Sequence, residues 1–214
     1  DWGRGLVFSR HKLAARHDRW GARAAARGGG NLRGALAGCV RFAEAVNDYV
    51  GRVVAWLTLA TVLICATVVF IRYALHTGFV WMQELYVWTH AAAFMLGAGY
   101  TLMANKHVRV DILYARASPV KQAWLDLIST FVFLFPWIFL FFFFTWPHVT
   151  NSWAIWETSS QVGGMPGLYI MKTIILAFAG LMLLQGLAMV GRCILVINGL
   201  GHLAPPRAIA GLGE

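Results

Sequence analysis

The sequence predicts an all-α membrane protein: four transmembrane helices, preceded by an amphipathic interfacial helix, with both termini cytoplasmic. Three observations predict it. Four apolar stretches, at about 53–75, 81–104, 123–147 and 167–198, each reach the roughly 20 residues that a helix needs to cross a ~30 Å hydrocarbon core. Hydrophobic residues make up 59% of the chain and charged residues 13%, where a soluble domain would carry about a quarter charged. The net charge of +9 is gathered on one side of the spans. The 214 residues suffice for one small bundle and its tails, and not for a second folded domain.

Residues 1–30 are rich in Arg, Ala and Gly and read as a basic tail lying along the membrane. Ten basic residues precede residue 53: Arg4, Arg10, Lys12, Arg16, Arg19, Arg23, Arg27, Arg33, Arg41 and Arg52. The loop between spans two and three adds Lys106, Arg109, Arg116 and Lys121, whereas the loop between spans three and four has no Lys or Arg. Excess Lys and Arg mark cytoplasmic loops, and an even number of spans returns both termini to that side. Anionic lipid headgroups account for the basic tail, so a nucleic-acid partner is not expected.

After Gly28-Gly29-Gly30, Asn31 is placed to cap a helix. Leu32, Leu36, Cys39, Ala43, Val46, Val50 and Val53 then recur at three- and four-residue spacing, with Arg33, Arg41, Glu44, Asn47, Asp48 and Arg52 on other faces. The pattern predicts an amphipathic helix over 31–52 in the cytoplasmic interface. Span one ends near Arg72, and a turn at His76-Thr77-Gly78 leads to Trp81 and Glu84, which open span two. The small residues Ala91, Ala92, Ala93, Gly97, Ala98 and Gly99 suit close approach by another helix. Span three is built of Phe and Leu, with Pro136 placed to kink it. Span four carries Lys172 and Gln185-Gly186 and ends near Arg192, and the tail 199–214 contains Pro205-Pro206.

Chemistry is sparse. No nucleophile elbow, phosphate loop, metal cluster or paired-carboxylate motif appears, so the sequence does not point to an enzyme, and no cofactor is expected. His90 lies mid-span without the facing histidine that a membrane di-haem site needs. A packing histidine is the reading, and a chromophore enzyme the weakest rival. Cys39, Cys65 and Cys193 are expected to be free and buried. Intramembrane charges usually mark function, but Arg72, Glu84, Glu157 and Lys172 all fall near the outer face. Arg72 and Glu84 flank one short turn and suggest a polar network, and Lys172 can pair with Glu157 or grip a lipid phosphate. Without a central polar site the chain reads as an accessory or scaffold subunit, its helix-two small residues and helix-three aromatics meant for another membrane subunit.

The set Arg72-Tyr73, Trp81, Glu84-Leu85, Trp88, Gly97-Ala98 and His107-Val108-Arg109-Val110-Asp111 resembles the small, DctQ-like membrane subunit of tripartite ATP-independent periplasmic (TRAP) transporters. Ser152, Glu157, Ser159, Pro166, Lys172 and Leu184-Gln185-Gly186 continue the resemblance, which covers about residues 50–195. Where many members have two acids, this chain has Gln83-Glu84. The resemblance implies a bacterial or archaeal inner-membrane protein and a sodium-coupled transporter of organic acids. It implies two partners: a large multi-helix permease subunit and a soluble periplasmic substrate-binding protein. This chain would be their fixed, non-catalytic scaffold, with loops 76–83 and 148–166 facing the binding protein. Loop 105–118 would hold the cytoplasmic side, with Asp111 capping a helix or pairing with Arg109. The rival reading is a structural subunit of another membrane assembly, such as a respiratory or photosynthetic complex.

Overall fold

The structure is a computed structural model and describes residues 30–104 and 117–201. Every element in it is helical: α1 (Gly30–Ala74), α2 (Val80–Met103), α3 (Pro119–Ser129), a π-helical turn (Thr130–Leu134), α4 (Phe135–Ala154) and α5 (Leu168–Ile197). α1 packs along α2 and α5, and α5 meets every other helix, so α5 is the axis of the bundle.

Three helical stretches among the described residues are long and apolar enough to cross a membrane: Arg33–Ala74, Pro119–Ala154 and Leu168–Ile197. The sequence reading counted a fourth over 81–104. α2 is 24 residues long there, but Gln83, Glu84, His90 and several aromatic, threonine and glycine residues dilute its apolar character.

α1 is one unbroken helix of 45 residues, about 67 Å long at 1.5 Å per residue. Its inward stripe differs from the expected one. Ala37, Val40, Ala43, Glu44, Asn47 and Val54 are buried, while Cys39 and Val53 are exposed. The packed face is turned by about one residue, which takes Glu44 and Asn47 inside and leaves Phe42, Tyr49 and Trp56 outside. The thiols follow the same rotation: none of the three cysteines is in a disulfide, but only Cys193 is buried, because Cys39 and Cys65 ride on outward faces of α1.

The small residues of α2 are used within the chain, not offered to a partner. Ala92, Ala93 and Gly99 are buried. Antiparallel contacts run the length of the α1–α2 pair. The Thr61 hydroxyl donates to Thr89 Oγ1 at 2.9 Å, Gly97 lies against Val54, and the Tyr100 ring lies over Gly51. A third face of α2, with Met95, Ala98 and Leu102, joins Ile138, Phe178 and Met182 in the main apolar cluster.

Pro136 leaves its mark on α4. Proline lacks the N–H that would bond the carbonyl four residues back, and its ring crowds that carbonyl. The helix responds with a π turn, in which the Phe135 N–H bonds the Thr130 carbonyl five residues back. The widened turn pushes Leu134 and Phe135 toward α5 where that helix has Gly186. A Cβ at Gly186 would come within 2.9 Å of both side chains.

Candidate functional site at the two ends of the bundle

Polar side chains gather at the two ends of α5. Lys172 and Arg192 lie 20 residues apart in sequence, hence about 30 Å along the helix, which is the thickness of a hydrocarbon core.

At the Lys172 end, α4 closes with a Schellman motif. The Trp156 N–H bonds the Trp153 carbonyl at 3.3 Å and the Glu157 N–H bonds the Ser152 carbonyl at 3.1 Å. Glycine usually takes the left-handed position of this motif, but here Trp156 does, at φ 50°. Ring contacts oppose the strain: Trp156 meets Tyr169 at 5.2 Å and Trp153 at 5.9 Å, and Trp153 meets Tyr169 at 4.5 Å. The turn delivers Glu157 to Lys172, with Nζ 2.5 Å from Oε2. The Lys172 ammonium, bonded to it, holds the Glu157 carboxyl below its usual range.

The loop from 155 to 167 is then clamped to α2. Glu84 Oε1 accepts from the Ser159 hydroxyl, and Glu84 Oε2 accepts from the Met165 N–H at 2.6 Å. Ser159 Oγ in turn accepts from the Gln161 N–H at 3.1 Å, and the Ser159 N–H bonds the Met165 carbonyl at 3.2 Å. The clamp leaves no room for a side chain at position 164, where a Cβ would sit 2.5 Å from Ser159 Oγ and 2.8 Å from Glu84 Oε2.

At the Arg192 end the polar groups lie inside the bundle. Arg192 pairs with Glu44 across the α1–α5 contact. One turn further along α1, Asn47 Nδ2 donates to Gln185 Oε1 at 3.0 Å and to the Ala43 carbonyl at 3.2 Å. Asn47 is fully enclosed. Its Oδ1 has no hydrogen-bond donor among the described residues and abuts Gly99, whose Cβ, if present, would lie 2.2 Å away.

The residues singled out in the sequence are thus dispersed. Glu84, Glu157 and Lys172 come together around one loop. Arg72 is exposed at the end of α1 and makes no ion pair among the described residues, so the network expected between it and Glu84 does not form; Glu84 is taken up by the 155–167 loop. Trp81 is exposed, with a tilted contact to Phe79 at 6.3 Å, and Trp88 is half-buried. Gly97 is a packing position. His107, Arg109 and Asp111 lie outside the described residues. Sequence reasoning missed the Glu44–Arg192 pair and the Asn47–Gln185 bond, whose partners are 148 and 138 residues apart. It also missed the Met165 N–H, which a backbone group cannot advertise. Among the described residues no three His, Cys, Asp or Glu side chains gather as a metal centre would require.

Long apolar helices with ion pairs at the ends of their axis define a multi-pass helical membrane protein. A family model for the DctQ component of tripartite ATP-independent periplasmic transporters matches residues 60–195, and the chain belongs to that family, the small membrane subunits of TRAP transporters. Neither a curated protein nor a solved structure matches the chain.

Proposed function

We propose that this chain is the fixed, non-catalytic scaffold subunit of a sodium-coupled transporter for organic acids. It holds a large permease subunit in the bilayer and offers part of the docking surface for a periplasmic binding protein. One observation carries the reading. Glu44, Glu84 and Glu157 are all committed near the ends of the bundle, to Arg192, to the 155–167 loop and to Lys172. A substrate or ion path would want uncommitted polar groups at several depths; a platform wants its polar groups locked.

In this reading α2 is a fourth span. Its contacts along the whole outer length of α1 support that, and they compensate for its modest apolarity. Four spans put both termini in the cytoplasm of a bacterial or archaeal cell, in line with the ten basic residues before residue 53. The 155–167 loop then faces the periplasm, with Trp156 and Val162 exposed and the backbone fixed by Glu84. Arg109 and Asp111 belong to the cytoplasmic loop, where Asp111→Ala is expected to lower the yield of the complex; unchanged yield and uptake remove that role.

The test is a gentle detergent pull-down of the tagged chain with mass spectrometric identification of what accompanies it. A large multi-helix permease near one-to-one is expected, followed by sodium-gradient-driven uptake of an organic acid in proteoliposomes. A redox or pigment complex in its place overturns the reading.

A further inference from the structure

α2 has three faces, and two are occupied. Thr89, Gly97 and Tyr100 meet α1, and Met95, Ala98 and Leu102 meet the α4–α5 cluster. The third carries Val87, His90 and Phe94, spaced by three and four residues so that they share one side of the helix. All three are exposed: Val87 at 52%, Phe94 at 74%, and His90 between them.

His90 decides what covers this face. It lies six residues inward from Glu84, hence about 9 Å into the apolar part of the bundle, and it makes no hydrogen bond to any described residue. Imidazole facing acyl chains leaves both ring nitrogens without partners, and a buried unbonded polar group carries a desolvation cost. Histidines inside membranes accordingly face protein or water-filled cavities, not lipid. α4 is the contrast. Its outward Phe139, Phe143 and Phe144 carry no polar atom, and lipid satisfies them fully.

We propose that the Val87–His90–Phe94 face of α2 is the surface on which the large permease subunit packs. The inference rests on the subunit reading above. The occupant is a permease helix that brings a hydroxyl, carboxamide or carboxylate to His90 and an apolar recess to the Phe94 ring. A second copy of this chain is disfavoured. Held in the same membrane orientation, it would bring together ten basic residues from each N-terminal region, and like charges repel.

The experiment uses the tagged chain co-expressed with its permease. His90→Leu removes the hydrogen bond while keeping bulk, and His90→Gln keeps a donor and an acceptor. An interhelical bond of ordinary strength predicts that His90→Leu lowers permease recovery about threefold and that His90→Gln stays near wild type. A photoreactive benzoylphenylalanine at Phe94 is expected to crosslink to the permease. Because all three positions are exposed, helicity by circular dichroism should be unchanged. Wild-type recovery with His90→Leu, or a Phe94 probe that labels only lipid or a second copy, overturns the surface while leaving the subunit reading intact. If the wild-type chain recovers no permease, the subunit reading fails and this surface falls with it.

Discussion

The two ends of α5 are anchored in opposite ways. At Lys172 an ion pair holds a loop, with 15% and 27% of the two side chains exposed. At Arg192 an ion pair holds α1, with 16% and 10% exposed and a fully buried asparagine one turn away. The outer anchor fixes a surface that something else can touch. The inner one fixes the register of the longest helix against the axis of the bundle. An accessible pair is screened and adjustable, whereas an enclosed pair is costly to break. The largest consequences of substitution should therefore be at the inner end.

Glu44→Ala gives the sharpest break. It strands the Arg192 guanidinium between α1 and α5, and removing one partner of a buried pair costs about 3–5 kcal/mol. Replacing both, as Glu44→Met with Arg192→Met, should recover most of that loss, because two apolar side chains of similar volume need no partner. Thermal unfolding of the purified chain in mild detergent separates the cases. Equal losses in the single and double variants would mean that the seam is held by packing and not by charge.

Gly99→Ala is the next test. The added methyl would land on Asn47 Oδ1, forcing the amide to rotate and endangering its bond to Gln185. Overpacking of this kind costs about 1–3 kcal/mol. Asn47→Ala in the same background should relieve part of it, since the clashing atom is then gone. A simple sum of the two losses in the double variant would show that the residues do not interact.

How much of this was legible depends on the reach of each interaction. The long apolar runs announce the helices, and the break before Gly167 announces the start of α5. Glu157 and Lys172 sit on either side of one loop, 15 residues apart, and their pairing is visible in the sequence as an option. The inner seam was not visible. Period alone says that α1 has two faces and does not say which one packs, and the preference for Val and Leu inside selected a stripe one residue away from the true one. Asn47 goes in because Gly99 on α2 leaves room and Gln185 on α5 offers an acceptor, and neither is near it in the chain. Arg72 and Glu84 failed in the converse way: close in sequence, they share no ion pair, because Glu84 is taken up by Ser159 and the Met165 N–H.

At the outer end, Glu84→Ala removes the acceptor for both the Ser159 hydroxyl and the Met165 N–H. Hydrogen bonds to a charged group contribute about 1.5–3 kcal/mol each, but here the loss is confined to a loop whose ends α4 and α5 still hold. Hydrogen exchange over 155–167 should accelerate while the helices keep their protection. If the loop docks the binding protein as proposed above, the variant should weaken that docking at unchanged permease recovery. If exchange also rises in α2 or α5, the clamp is part of the core and the two ends are not anchored in opposite ways.

The smallest effect should come from the Glu157–Lys172 pair, and the pH response of the loop compared with that of Lys172→Met isolates it. The Glu157 carboxyl titrates below its ordinary value of 4.5 because Lys172 bonds its charged form. A carboxyl whose folded pKa is depressed contributes its full stabilisation above the unfolded value and loses it as pH falls through the folded one. Loop protection, corrected for intrinsic exchange, should therefore be flat from neutral pH to about 5 and decline only below 4.5. Lys172→Met should raise the Glu157 pKa toward its ordinary value, so any decline left in that variant begins at a higher pH and is shallower. The inner seam, enclosed between α1 and α5, should hold its protection through the same window. A simultaneous decline at both ends would show that the outer pair is coupled through α5 to the register of α1, and would erase the distinction between adjustable and fixed anchors.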